Sequence, residues 1–132
     1  MVQLRLLPFV AVGGAVGALA RWGVLNWANP DLLATCVFGL NVAGSFLIGL
    51  LAGGSQRRPD GRLPITRNRF LLLGTGFCGG LTTFSAYALD VATALDEGAL
   101  QDAATLGFST PILAVLFGGI GYRVAAPRRR SR

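Results

Sequence analysis

The 132-residue sequence has no lysine and no histidine, and only 14% of its residues are charged. Soluble globular domains usually contain about 25% charged residues. Without histidine, and with six scattered carboxylates, neither a metal site nor a histidine-based catalytic site is expected. Cys36 and Cys78 both fall in apolar segments, so no disulfide framework is indicated. The sequence therefore does not indicate an enzyme.

The few charged residues avoid long parts of the chain. No charge occurs in residues 32–54, 70–89 or 103–122, which are 23, 20 and 20 residues long. A helix needs about 20 residues to cross a hydrocarbon core of about 30 Å. A fourth apolar segment is interrupted only by Arg21. We therefore predict an all-α membrane protein with a single transmembrane domain over residues 1–132, its spans at about 6–27, 32–54, 70–95 and 103–124 and a basic tail at 125–132.

The first twenty residues have a second interpretation. Arg5, an apolar stretch and Ala18-Leu19-Ala20 resemble a signal peptide and its cleavage site. The segment continues through Arg21 to Trp22 and Trp27, with tryptophan at the spacing expected near a membrane interface. That continuation favours a retained first helix over a cleaved signal.

All twelve basic residues are arginines, and their distribution is uneven. Eleven fall at the N-terminus, the second loop and the C-terminal end, which share one side of a four-span chain, whereas Arg21 lies toward the other side. Because basic residues accumulate in cytoplasmic loops, we predict that both termini are cytoplasmic in a multi-pass protein of the cell (inner or plasma) membrane. The high pI near 11 is then a topology signal and not a sign of nucleic-acid binding. The eleven are Arg5, Arg57, Arg58, Arg62, Arg67, Arg69, Arg123, Arg128, Arg129, Arg130 and Arg132.

Residues 74–87 read GTGFCGGLTTFSAY, and their first half matches the G-x-G-x-x-G turn of dinucleotide-binding domains. Asp96 and Glu97 stand at a tolerable distance for the carboxylate of that motif. The surrounding chain, however, is predicted to span the membrane, where a nucleotide would have to lie at mid-bilayer depth. The dinucleotide interpretation is therefore disfavoured.

The same stretch predicts a third helix that is broken in the middle of the membrane. Gly79-Gly80 weakens the helix, and freed backbone groups in hydrocarbon are costly unless they find partners. Thr82, Thr83 and Ser85 supply local hydroxyls, and a partner subunit or a bound ion can supply the rest. Exposed carbonyl oxygens at this depth indicate a cation. The alternative is a kink that its own hydroxyls satisfy.

Polar side chains also occur inside the second and fourth spans. Asn41 lies between Leu40 and Val42, where its amide can either donate to an anion or hold two helices together. Thr110 precedes Pro111, and its hydroxyl can line a pathway or bond back to its own helix. The residues alone leave both alternatives open.

Three blocks resemble the signatures of the small bacterial fluoride channels (Fluc, also called CrcB). They are GGAVGALARW at 13–22, NVAGSFLIG at 41–49 and GFCGGLTTFS at 76–85, of which the third is the most specific. The resemblance covers all four spans in order. It implies an antiparallel dimer with two narrow fluoride pathways, passive export of fluoride, and a structural sodium ion where the two third helices break.

The resemblance also implies roles for individual residues. The sodium ligands would be the backbone carbonyls of Gly79 and Thr82, and Arg21 would be structural or lie in a vestibule. Amide and hydroxyl donors can replace the water of a fluoride ion, and an aromatic edge carries partial positive charge. The implied fluoride-pathway residues are Asn41, Thr83, Phe84, Ser85, Tyr87 and Thr110.

Several positions depart from the family pattern. The family usually has phenylalanine at Tyr87, threonine at Val37 and tyrosine at Leu106, so the polar track is partly lost. Eleven arginines against one is far from the balance that a dual-topology homodimer needs. We therefore expect a heterodimer with a homologue of opposite charge bias.

Two alternatives to a fully conducting channel remain. The first is a non-conducting or partly conducting subunit of a heterodimeric fluoride channel. The second is a small multidrug-type exporter, which needs a carboxylate in its first helix. The first span here has none, and Asp90 is the only acid in or near a span, so the exporter is disfavoured.

Overall fold

The computed structural model describes residues 4–56 and 65–127, which form helices and connecting turns and no strand. The first two spans are α1 (Leu7–Trp27) and α2 (Leu33–Gly54), each preceded by a short 3-10 turn, Leu4–Leu6 and Pro30–Leu32 respectively. The last span is α5, Leu100–Ala125. The loop arginines at positions 57, 58 and 62 and the part of the basic tail beyond residue 127 lie outside the described residues.

The third span consists of two helices joined by two extended residues. The second of them is α4, Phe84–Asp96. Thr82 (φ −81°, ψ 156°) and Thr83 (φ −148°, ψ 117°) join it to the first. The first helix, α3, covers residues 67–81 as an α-helical turn, a π-helical stretch and a final α-helical turn: Arg67–Phe70, Leu71–Cys78 and Gly79–Leu81.

Within residues 4–56 and 65–127, four helical segments are long and apolar enough to cross a membrane, which confirms the predicted all-helical, four-span architecture. Some of them extend up to three residues beyond the predicted ends, because Arg67, Arg69 and Asp102 continue the helices into charged sequence. The segments are Leu4–Trp27, Pro30–Gly54, Arg67–Asp96 and Leu100–Ala125.

Large apolar side chains point away from the chain rather than into a core. Trp27 is 89% exposed and Phe84 is 79% exposed, whereas the buried apolar residues are few and mostly small. A soluble protein rarely exposes so much contiguous apolar surface. This distribution fits a chain whose surroundings are lipid or a second subunit.

Helices α1 and α3 pack so closely that glycine is required at their contact. A Cβ atom at Gly17 would overlap the carbonyl of Phe77, and one at Gly80 would overlap the carbonyl of Gly14. Helices α2 and α5 make an equivalent contact, where a Cβ atom at Gly49 would meet the carbonyl of Gly118. Small residues allow this close approach in a membrane, where dispersion contacts replace the hydrophobic effect.

Helix α4 ends in a glycine cap that reverses the chain into α5. Gly98 has φ +73°, a left-handed conformation that favours glycine. Its N–H donates to the Leu95 carbonyl at 3.1 Å, and the Ala99 N–H donates to the Ala94 carbonyl at 2.8 Å. These are the two bonds of a Schellman motif, so the turn needs few residues.

Candidate functional site

The interruption of the third span is built by its two threonines. The Thr82 backbone N–H and side-chain hydroxyl both donate to the Cys78 carbonyl, at 3.0 and 2.9 Å. The Thr83 hydroxyl accepts the Ala86 N–H at 3.2 Å and so caps the start of α4. Helix α3 thus ends and helix α4 begins within two residues of each other along the chain, at Thr82 and Thr83.

Asn41 of α2 stabilises the interruption from the neighbouring helix. Its side-chain oxygen accepts the Thr83 N–H at 2.8 Å, and its Nδ2 donates to the Thr83 carbonyl at 3.1 Å. The Asn41 residue is only 9% exposed, so both bonds lie in the interior. An amide nitrogen carries two hydrogens, which leaves one for another acceptor.

Three backbone carbonyls stand at the end of α3. Within the described residues, no hydrogen bond reaches the carbonyl oxygens of Gly79 and Gly80. The Thr82 carbonyl accepts one long bond, 3.4 Å, from Nη1 of Arg21. These oxygens are the polar groups that the interruption leaves without regular helical partners.

A cavity of about 230 Å³ lies directly beside the interruption. Five of the six residues predicted for the fluoride pathway line it, although they come from three different helices and the break itself. The five are Asn41, Thr83, Phe84, Tyr87 and Thr110. The sixth, Ser85, lies outside the lining and contacts it indirectly, because its hydroxyl is 3.1 Å from that of Thr83.

The two rings of the cavity are held differently. The Phe84 and Tyr87 ring centroids are 5.5 Å apart at an interplanar angle of 53°, so the rings are tilted. The Tyr87 hydroxyl donates to the Gly107 carbonyl of α5 at 2.8 Å. The hydroxyl that distinguishes Tyr87 from the usual phenylalanine is therefore engaged by the neighbouring helix.

Thr110 contributes an unengaged hydroxyl to the cavity. The residue is 5% exposed, and within the described residues its hydroxyl makes no hydrogen bond, so it does not bond back to its own helix. Thr105 on the same helix shows the contrast, since its hydroxyl donates to the Gln101 carbonyl at 2.7 Å. Thr110 is therefore available to a solute.

Ser45 was not singled out from the sequence as a pathway residue. It lines the same cavity one helical turn after Asn41, together with Pro111 and Ala114. It also lines a second cavity of about 310 Å³ on the other side of Thr82. Its spacing of four residues from Asn41 is the signal that could have identified it.

A third cavity, of about 490 Å³, lies toward the start of α2. Arg21 and Asp90 line it, and so does Val37, which stands where the family usually has threonine. Val37 therefore faces this cavity and not the one at the interruption. The predicted loss of a polar group therefore falls in the third cavity and not in the one around Asn41.

Four apolar spans, with a cavity that holds a few polar side chains at the interruption of the third, define a small multi-pass membrane protein. A family model described as CrcB-like protein, Camphor Resistance (CrcB), matches residues 8–122. The chain therefore belongs to the CrcB family, as the three sequence blocks predicted.

The relatives in this family carry the names of ion channels. A protein of Phenylobacterium zucineum named fluoride-specific ion channel FluC is 42% identical over 123 residues, covering 89% of this chain and 94% of the relative. The FluC of Azotobacter vinelandii is 39% identical, covering 83% of this chain and 84% of the relative. A FluC 2 of Synechococcus is 42% identical over 76% of this chain, which spans 65% of that relative. These names confirm the prediction that the chain is not an enzyme.

Proposed function

We propose that this chain forms a fluoride-selective passive channel, as a single transmembrane domain, that exports fluoride from the cytoplasm. The observation that carries the proposal is the convergence of five predicted residues on one cavity at the interruption of the third span. Family membership supports the substrate, since the relatives are named fluoride-specific ion channels.

The chemistry of the cavity suits a small, strongly hydrated anion. The free amide hydrogen of Asn41 and the Thr110 hydroxyl can donate to the ion, and the Phe84 ring can present its positive edge. Among the described residues, no basic side chain lines this cavity, so none of them traps the ion with a full charge. A negative cytoplasm drives an anion outward by about 2.3 kcal/mol per charge for each 100 mV, so passive flow suffices for export.

We propose that a structural sodium ion is held by the backbone carbonyls of Gly79 and Thr82, together with the same groups of a second subunit. The support is the chemistry of the oxygens, since the Gly79 carbonyl accepts no hydrogen bond within the described residues. A hard cation prefers oxygen ligands, and it would neutralise the carbonyls that the interruption exposes. Arg21 also donates a hydrogen bond to the Thr82 carbonyl, and its positive charge repels a sodium ion bound to that oxygen.

Sodium dependence tests this site. We expect fluoride efflux to stop when the purified protein is dialysed into N-methylglucamine salts, and to return when sodium is restored, because the exposed carbonyls lose their partner. Potassium of equal concentration is the control. Undiminished efflux after exhaustive removal of sodium would contradict the sodium site and would leave the fluoride pathway standing.

The proposed assembly is an antiparallel dimer with a homologue of opposite charge bias, both termini of this chain being cytoplasmic. Phe84 lines the cavity yet is 79% exposed, so another surface is needed to enclose the pathway. Two relatives are named FluC 2, a numbering consistent with more than one homologue in an organism. The second candidate function, a partly conducting or non-conducting subunit of such a heterodimer, is favoured by Val37, an apolar residue in the third cavity where the family usually has threonine.

Fluoride efflux from liposomes tests the proposal, with the chain alone and with its partner. We expect Thr110→Val to reduce efflux by about tenfold, because the isosteric change removes a donor worth roughly 1 kcal/mol or more and leaves no bonded group behind. Folding should be unaffected, since the Thr110 hydroxyl has no partner within the described residues.

Thr105→Val is the matched control on the same helix. Thr105 is exposed and bonds only to its own helix, so its loss should leave efflux unchanged. Thr110→Ser, which keeps a hydroxyl, should retain most of the efflux. Equal efflux in Thr110→Val and in the parent would remove Thr110 from the pathway, and no fluoride efflux in any combination would refute the channel function.

A further inference from the structure

Proline interrupts the hydrogen bonding of α5 beside the cavity. Pro111 lies inside the helix Leu100–Ala125. In an α-helix the carbonyl of residue i accepts the N–H of residue i+4, and proline has no N–H. The carbonyl of Gly107 therefore lacks its regular donor.

The third span supplies a replacement donor. The Tyr87 hydroxyl of α4 lies 2.8 Å from the Gly107 carbonyl oxygen, which is a short and favourable hydrogen bond. Tyr87 and Pro111 both line the cavity at the interruption, and Thr110 lies between Pro111 and the bonded carbonyl along the helix. One hydrogen bond thus joins α4 to α5 at the turn of α5 that lacks a backbone hydrogen bond.

We propose that Tyr87 is a positioning residue that substitutes for the missing N–H of Pro111 and fixes α4 against α5 beside the cavity. The inference rests on the proposed fluoride pathway for its functional consequence. Without the bond, α5 can shift at Thr110, which lines the cavity three residues after Gly107. Tyr87 acts here through Gly107, and its hydroxyl does not itself bind the ion.

The need for the hydroxyl depends on the residue at position 111, which gives a sharp test. Four full-length proteins are compared: the parent, Tyr87→Phe, Pro111→Ala and the double variant. Tyr87→Phe leaves the Gly107 carbonyl without either donor. In the Pro111→Ala background, a backbone N–H at position 111 can take over the carbonyl.

Thermal melting of the purified protein in detergent measures the bond without reference to conduction. We expect Tyr87→Phe to lower the melting temperature in the parent background and to have a much smaller effect in the Pro111→Ala background. Tyr122→Phe is the matched control, because Tyr122 is the only other tyrosine and its hydroxyl has no partner within the described residues. Equal losses in both backgrounds, or no loss in either, would overturn the proposed substitution of hydroxyl for N–H.

Fluoride efflux per folded protein measures the consequence for the pathway. We expect Tyr87→Phe to lower efflux on the order of tenfold, and the double variant to return to the level of Pro111→Ala. Normal efflux through a Tyr87→Phe protein that melts at a lower temperature than the parent would contradict the role of Tyr87 in the pathway. A parent protein without any efflux, both alone and with its partner, would refute the proposed function, while the melting comparison would still decide whether Tyr87 replaces the N–H.

Discussion

A single amide in α2 makes two hydrogen bonds to the interruption of the third span. Asn41 bonds both to the N–H and to the carbonyl of Thr83, and it lines the cavity with the hydrogen that remains. From the sequence, a structural and a pathway role for this residue were equally open. The structure shows the structural role, and the geometry leaves room for the other.

We predict that Asn41→Asp abolishes or strongly reduces fluoride efflux and also lowers thermal stability. A carboxylate keeps the acceptor for the Thr83 N–H but places an oxygen against the Thr83 carbonyl, at a cost of about 1–3 kcal/mol for the lost donor. It also adds a negative charge beside an anion pathway. Liposome efflux and detergent melting are the two measurements.

Asn68→Asp is the control for the chemical change, because Asn68 is exposed at the start of α3. It should alter neither efflux nor melting. Unchanged efflux in Asn41→Asp would remove Asn41 from the pathway, and unchanged melting would show that the bonds to Thr83 contribute little to stability.

The third span shows how far a sequence pattern specifies an element. Gly79-Gly80 was expected to weaken the helix, but both glycines are helical and the interruption begins at Thr82. Gly80 is needed instead for packing, since any side chain there would meet the Gly14 carbonyl of α1. β-Branched Thr82 and Thr83 favour extended backbone, and their hydroxyls compete for backbone partners.

Close packing of α1 on α3 gives a prediction for an element. Gly17→Ala should lower the melting temperature and the yield of assembled protein, because a Cβ atom would overlap the Phe77 carbonyl. The Phe77 backbone cannot move aside as a flexible side chain can, so we expect the free energy of unfolding to fall by about 1–3 kcal/mol. Detergent melting and size-exclusion chromatography measure both effects.

Gly23→Ala is the matched control within the same helix. Apart from the adjacent backbone of α1, no atom of the described residues lies within 4 Å of a Cβ atom at Gly23, so this change should be neutral or stabilise by about 0.5–1 kcal/mol through helix propensity. Equal stability of the two variants would show that the α1–α3 contact is less tight than the structure indicates.

The whole molecule raises the question of its orientation and its partner. Among the described residues, Arg5, Arg67, Arg69 and Arg123 lie near the ends of spans on the side of the N-terminus, and Arg21 lies on the other half of α1. We predict that the chain expressed alone inserts with one orientation, both termini in the cytoplasm, and conducts fluoride poorly. Labelling of single cysteines placed at the termini would report the orientation.

Co-expression with a homologue of opposite charge bias should restore efflux, since the partner would insert the other way and enclose the cavity around Phe84. Exchanging the arginine bias between the two chains is the control and should reverse both orientations. Equal inward and outward populations of this chain alone, with full efflux, would contradict the heterodimer.

The number of spans, their approximate limits and the polar residues within them follow from the pattern of apolar runs, because about 20 uncharged residues in succession have no stable alternative to a membrane helix. The position of the interruption depends on a neighbour far away in the sequence. The Asn41 side-chain oxygen accepts the Thr83 N–H, which would otherwise donate to a backbone carbonyl and continue the helix. The side chain and the carbonyl compete for this N–H because α2 packs against α3. For the same reason, the partner of the Tyr87 hydroxyl could not be read from residue 87, since the vacant carbonyl belongs to another helix and arises from Pro111.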